Sequence, residues 1–100
     1  MNEIETQARI CKVFSVPTRI EMIALLRNKT LCVNALSQKL GITPAAVSQH
    51  LRVLRDADVV IAEKRGYFVH YRVNAKTLAA WGQTISPLFK APSCSLTVEE

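Results

Sequence analysis

The sequence predicts a mainly α-helical fold with a β-hairpin wing, the winged helix-turn-helix, in which four helices precede a two-stranded hairpin and a fifth helix follows it. Apolar residues recur at helical spacing over the first half of the chain. A Gly-Ile-Thr-Pro turn at residues 41–44 separates two short helical segments. From residue 59 the apolar period changes to two, as in half-buried strands. We therefore assign residues 1–90 to one domain and residues 91–100 to a flexible C-terminal tail.

The composition is that of a small globular domain. With 100 residues, of which 49% are apolar, the chain can build a single core. Its longest uninterrupted apolar run, from Met22 to Leu26, is far too short to span a bilayer, and residues 1–15 lack the features of a secretory signal. Three cysteines without CxxC spacing argue against a disulfide framework and indicate a reducing compartment. We therefore expect a cytoplasmic protein.

Two helices are predicted before residue 28. The first covers residues 2–14 and has one apolar stripe at helical spacing, formed by Ile4, Ala8, Cys11 and Phe14. Pro17 separates the two helices, because proline suits a first helical turn and disfavours helix before it. The second helix covers residues 17–27 and would bury Ile20, Ile23, Ala24 and Leu26.

The third and fourth helices form the helix-turn-helix. The third covers residues 33–40 and has Val33, Leu36 and Leu40 on one side. Gly41 supplies a turn in which a positive φ costs little. Thr43 is then the N-cap of a fourth helix, which begins at Pro44 and extends to about Asp56. Asp58 follows where the chain must reverse, since Asp tolerates a left-handed conformation.

A hairpin and a last helix complete the domain. Residues 59–62 and 67–73 are predicted strands, with Lys64-Arg65-Gly66 closing the turn between them. A fifth helix covers residues 75–89, and Pro87 would kink or shorten its end. The apolar side of this helix holds Leu78, Trp81, Ile85, Leu88 and Phe89. Tyr67, Tyr71 and Trp81 lie at core spacing, so we expect structural roles for them rather than stacking on nucleotides.

Positive charge is concentrated in the middle of the chain. The formal net charge is +5, but residues 27–76 hold nine Lys and Arg against three acids. That half is therefore net +6, and the remainder is net −1. A basic block inside a folded domain indicates a polyanionic partner, with double-stranded DNA first and an anionic membrane second. The alternative is a solvated basic face without a partner.

The fourth helix has the two-sided pattern that a DNA recognition helix needs. At about 100° per residue, Val47, Leu51 and Leu54 cluster on one side and would face the core. The candidates for contacts with base edges or phosphates lie outside this buried side and have small, amide or basic side chains: Thr43, Ala45, Ser48, Gln49, His50, Arg52 and Arg55. An ordinary amphipathic helix has a similar pattern, but the preceding turn and the basic block favour DNA.

The hairpin adds two more candidate DNA contacts. Lys64 and Arg65 place two cations on a short ribbon, which fits a wing laid along the DNA backbone or the minor groove. A solvated turn is the alternative for these residues. His70 shares a strand face with Phe68 and Arg72, and we interpret it as structural.

These features resemble the ArsR/SmtB family of bacterial winged-helix repressors over about residues 5–90. The resemblance rests on Val-Pro-Thr-Arg-Ile at 16–20, Leu-Cys-Val-Asn-Ala-Leu at 31–36, Val-Ser-Gln-His-Leu-Arg-Val-Leu at 47–54 and Gly-Tyr-Phe-Val-His-Tyr-Arg at 66–72. It implies a homodimer that is joined through its first and last helices, binds a pseudo-palindromic operator and is released by an effector. The apolar stripes of those two helices agree, because neither has an obvious face to cover it within one chain. A two-fold dimer would place its recognition helices about 34 Å apart, in successive major grooves.

The cysteines are candidates for effector binding. Metal-sensing members of that family have the sequence Leu-Cys-Val-Cys-Asp-Leu at the start of the third helix. This chain keeps the first cysteine as Cys32, but it has Asn34 in place of the second cysteine and Ala35 in place of the acid. The family's other site needs His and carboxylates on the last helix, and residues 75–90 contain neither. A soft metal or metalloid could still be bound by thiolates from Cys32, Cys11 and Cys94, also across a dimer. Cysteine oxidation is the rival switch, and cysteines without a sensing role are the third reading.

The sequence therefore favours a DNA-binding transcriptional regulator, with residues 1–90 as its DNA-binding and dimerisation domain. The alternative is a protein-interaction module that uses the winged helix without sequence-specific DNA binding. An enzyme is not expected. The chain has no serine or cysteine with a plausible base, no paired inward carboxylates and no phosphate-binding glycine loop.

Overall fold

The structure is a computed structural model that describes residues 2–93 and 97–99. The predicted order of helices and hairpin is confirmed, and the chain forms a winged helix-turn-helix. Its elements are α1 (Glu3–Val13), α2 (Pro17–Leu26), β1 (Leu31–Cys32), α3 (Val33–Leu40), α4 (Pro44–Asp56), β2 (Val60–Arg65), β3 (Phe68–Val73) and α5 (Ala75–Ile85). A short 3₁₀ helix, Ser86–Phe89, follows α5, so the helix shortens ahead of Pro87 as expected.

The sheet has one strand more than the sequence predicts. β1 pairs antiparallel with β3, which gives a three-stranded sheet in the order β1-β3-β2. In this register Cys32 lies opposite His70. A two-residue strand contains too few positions to show a period of two, and it is detectable only through its partner.

The core forms where α2, α3, α4 and the sheet meet. The predicted inner face of α4 is confirmed, since Val47, Leu51 and Leu54 are fully buried. The other buried apolar residues are Ile10, Val13, Met22, Ile23, Leu26, Leu36, Ala57, Val59 and Val60. Trp81 of α5 packs its ring edge-to-face on Phe14, with ring centroids 5.9 Å apart, and both rings contact this core.

The predicted buried side of α2 is confirmed for Ile23 and Leu26 and wrong for Ile20 and Ala24, and the apolar stripe of α1 lies mainly on the surface. In α1 the side chains of Ile4, Ala8 and Cys11 are exposed. Ile20 and Ala24 of α2 are exposed as well. The buried residues are Gln7, Ile10 and Val13 in α1 and Met22, Ile23 and Leu26 in α2. Gln7 can be buried because its Nε2 donates a hydrogen bond to the carbonyl oxygen of Thr84, at 3.0 Å, which ties α1 to α5.

Two predicted turns have the expected backbone, and the wing turn is shifted. Gly41 and Asp58 both adopt a left-handed conformation, with φ of 67° and 65°. The hairpin turn consists of Gly66 and Tyr67, so Lys64 and Arg65 lie within β2 rather than in the turn. Tyr67 is 100% exposed, which contradicts its predicted core position, because it lies at the tip where nothing packs against it. Tyr71 does pack against the core as predicted.

Candidate nucleic-acid interface

The orientation of α4 is fixed by local hydrogen bonds. Thr43 is its N-cap, and the Thr43 hydroxyl oxygen accepts a hydrogen bond from the amide of Ala46 at 3.1 Å. In the preceding turn, the amide of Gly41 donates to the carbonyl oxygen of Ser37 at 2.9 Å. The Ser37 hydroxyl donates in turn to the carbonyl oxygen of Ile42 at 2.5 Å. These bonds fix the geometry between α3 and α4, while the buried side of α4 fixes its rotation.

The outer side of α4 presents the polar side chains that the sequence predicts. Thr43, Ala45, Ser48, Gln49, Arg52 and Arg55 are exposed, and His50 is half-buried. Within the described part of the chain, no hydrogen bond or ion pair is made by the side chains of Ser48, Gln49 and Arg52. Their donors and acceptors are therefore available to a partner. Amide and guanidinium groups at this spacing match the donors and acceptors of base edges in a major groove.

The wing carries a cluster of charges that the sequence analysis missed. Glu63 of β2 accepts a hydrogen bond from Arg72 Nε at 2.6 Å and lies 3.4 Å from Arg65 Nη2. The hydrogen bond and positive charge of Arg72 hold the pKa of Glu63 below its ordinary value, with a smaller contribution from Arg65. Lys64 is exposed and has no ion pair within the described residues. The alternation of β2 and β3 places Glu63, Arg65 and Arg72 on one face, which only the observed strand register reveals.

An apolar groove lies between α1 and α5, away from the helix-turn-helix. It has a volume of about 340 Å³ and is lined by Ile10, Cys11, Phe14, Leu78, Trp81, Gly82, Ile85 and Phe89. Exposed Ile4 and Phe89 extend the apolar surface of these two helices. The groove thus contains much of the apolar side predicted for the fifth helix.

The three candidate cysteines are not brought together by the described residues. Cys11 lines the α1–α5 groove, whereas Cys32 lies in β1 beside the wing. Cys94 lies outside the described residues. Within 2–93 and 97–99, no group of three His, Cys, Asp or Glu side chains is close enough to hold a metal ion. The Nδ1 atom of His70 is buried and has no hydrogen-bond partner in this part of the chain.

No helix in the described part of the chain combines the length and the apolar character that crossing a bilayer requires.

Comparisons with known proteins converge on one family. The model of the arsR family of bacterial regulatory proteins matches residues 16–62. The HTH-type transcriptional regulator MJ1325 of Methanocaldococcus jannaschii is 34% identical over 73% of this chain and 83% of its own length. The HTH-type transcriptional repressor SmtB of Mycobacterium tuberculosis is 33% identical over 76% of this chain, although the match spans only 56% of SmtB. The crystal structure of a "possible transcriptional regulator for arsenical resistance" superposes with a TM-score of 0.74 at 32% identity, covering 80% of this chain and 83% of that one.

Proposed function

This chain belongs to the arsR family of bacterial regulatory proteins and is a DNA-binding transcriptional regulator, and from that premise we propose that it is a homodimeric repressor of a pseudo-palindromic operator. The relatives include proteins described as transcriptional repressors, and all of those reported above are regulators rather than enzymes. This favours DNA binding over a protein-interaction module. Because a repressor must reach the chromosome to bind its operator, we infer that the cytoplasm is its place of action.

The observation that carries the proposal is the two-sided character of α4. Its inner residues are fully buried, so the helix cannot rotate, while Ser48, Gln49 and Arg52 point outward with unused donors and acceptors. We assign base contacts to Ala45, Ser48 and Gln49. Phosphate contacts are assigned to the basic and N-terminal positions, namely Thr43, His50, Arg52, Arg55, Lys64 and Arg65.

The homodimer is supported by the groove between α1 and α5. Its lining is almost entirely apolar, and exposed Ile4 and Phe89 add to it. Monomeric proteins rarely leave continuous apolar surface of this kind in water. Pairing two copies through α1 and α5 about a two-fold axis would cover it and would place the two copies of α4 in successive major grooves.

The function is tested by selecting bound duplexes from a randomised DNA library and measuring their affinities by fluorescence anisotropy over a salt series. The proposal expects an enriched inverted repeat whose half-sites are about one helical turn apart. It also expects log K to fall linearly with log salt, because Lys and Arg displace counterions from phosphates. An enriched sequence without two-fold symmetry, or an affinity that salt does not change, would contradict the proposal.

For the effector we retain the two candidates that the sequence predicts, a thiol-bound metal or metalloid and cysteine oxidation. A three-ligand site is not formed by the described residues of one chain, so a metal site would need Cys94 or a second copy. Native mass spectrometry of the reduced dimer with arsenite tests this. Stoichiometric uptake that is lost in Cys32→Ser supports a thiol sensor, and a dimer that takes up none contradicts it.

A further inference from the structure

We propose that a basic cleft between α1, α2 and the end of α4 binds an organic anion, namely a small molecule with an oxyanion on an apolar body. The cleft has a volume of about 430 Å³, which is within the range of small-molecule sites. Its polar lining comes from Arg9 and Lys12 of α1, Arg19 of α2 and Asp56 of α4. Its apolar lining includes Val13 and Val53.

The charges in the cleft are unbalanced. Three cations face one acid, and none of these four side chains forms an ion pair in the described part of the chain. Arg19 carries the strongest indication, because its Nε is buried and has no hydrogen-bond partner among the described residues. A buried donor on a charged group is costly when it is left unsatisfied. A carboxylate or phosphate oxygen in the cleft would accept that hydrogen bond and be attracted by Arg9 and Lys12.

The apolar lining restricts the ligand further. Val13 and Val53 give the cleft walls that water solvates poorly, which favours an anion with an aromatic or aliphatic part over a bare ion. An aryl carboxylate and an aryl phosphate share this chemistry. The arrangement of a few convergent polar groups on an apolar wall is typical of ligand sites.

The lining of the cleft differs from that of the proposed base-contact surface and from that of the α1–α5 groove. α4 contributes only Val53, Asp56 and its C-cap Ala57, whereas the proposed base contacts lie in its first half. On α1 the cleft uses Arg9, Lys12 and Val13, and the groove next to α5 uses none of these three. The cleft therefore shares no lining residue with the proposed base contacts or with the α1–α5 groove, although Arg52 and Arg55 lie next to it on α4.

The assignment is tested without DNA by titrating the reduced, full-length protein with phenyl phosphate, benzoate and uncharged benzyl alcohol while recording amide NMR spectra. We expect both anions to produce saturable shifts around Val13, Arg19 and Ala57, and benzyl alcohol to produce none there. The double variant Arg9→Gln/Lys12→Gln should weaken binding by about tenfold, as expected for the loss of two solvent-exposed cations beside the bound anion. Asp56→Asn should strengthen binding because it removes the one acid.

Lys29→Gln is the matched control, since it removes an exposed cation outside the cleft. If Lys29→Gln weakens the affinity for the anions as much as the double variant does, the effect comes from the overall charge of the protein and the proposal is overturned. Shifts centred on Ser48, Gln49 and Lys64, or no saturable shift at millimolar ligand, would also overturn it. A separate arm measures duplex DNA affinity. If the double variant loses as much affinity for duplex DNA as Arg65→Gln does, the cleft binds the DNA backbone instead, and the proposal is overturned.

Discussion

Arg72 donates a hydrogen bond from its Nε to the carboxylate of Glu63 at 2.6 Å, across the two long strands of the wing. The same carboxylate lies 3.4 Å from Arg65, so one acid restrains two arginines. Glu63 is the sole acid between residues 60 and 73, where the chain carries three Lys and Arg. The wing can therefore present its full positive charge to DNA only if this carboxylate is lost or displaced.

Glu63→Gln should raise the affinity for DNA of any sequence. The substitution removes a negative charge and releases Arg65 and Arg72 to contact phosphates. One additional phosphate contact would make the slope of log K against log salt steeper by about 0.9. Anisotropy titrations over a salt series measure both quantities. Glu21→Gln, which removes an exposed acid from α2, is the matched control, and an equal gain there would mean that net charge alone is responsible.

The titration of Glu63 should depend on Arg72. Because the hydrogen bond and the charge of Arg72 lower the pKa of Glu63 from its ordinary value of 4.5, the ion pair persists to a lower pH than an ordinary glutamate would allow. Its contribution to stability is lost as the pH falls through the lowered pKa. Carboxyl NMR should find a midpoint below 4.5 in the native protein and a higher one in Arg72→Gln. An unchanged midpoint in that variant would refute this account of the wing.

The helix-turn-helix could be predicted from sequence because each of its parts has a local cause. Val47, Leu51 and Leu54 repeat at helical spacing, Thr43 and Pro44 cap the helix, and Gly41 permits the turn. Each cause acts within a few residues, so no knowledge of distant packing is needed. Asp58 belongs to the same class, since its left-handed backbone follows from a chain reversal directly after a helix.

The parts that could not be predicted depend on distant partners. β1 exists only because β3 lies beside it, and the wing ion pair depends on a register that places Arg72 near Glu63. Gln7 is buried by a hydrogen bond to Thr84, far away along the chain. The same docking leaves Ile4 exposed, at the start of the apolar stripe of α1. An apolar stripe at helical spacing can thus lie on the surface or in the core, and sequence periodicity does not distinguish these two positions.

Gln49→Ala and Arg65→Ala should affect DNA binding in different ways. An amide in the major groove can pair with a base edge, so losing Gln49 should relax preference at one position of each half-site by about 1–3 kcal/mol. Arg65 is assigned to phosphate, so its loss should weaken all duplexes similarly and make the salt slope shallower by about 0.9. Affinities for the selected duplex and its single-base variants measure both effects. An equal loss of specificity in the two variants would contradict this division of roles.

Ile4→Glu should dissociate the dimer without unfolding the monomer. Ile4 is 75% exposed in the single chain, so its substitution disturbs no core contact, and it lies two helical turns before Cys11, which lines the α1–α5 groove. Each buried isoleucine contributes about 1.5–3 kcal/mol, and a two-fold interface contains it twice. The dimer dissociation constant should therefore rise by at least on the order of a hundredfold. Sedimentation velocity over a concentration series measures it, and the thermal unfolding of the variant monitors the fold. Gln38→Glu adds the same charge at an exposed position of α3 and is the control, which should leave the dimer intact. If the Ile4→Glu protein dimerises as well as this control, the interface lies elsewhere.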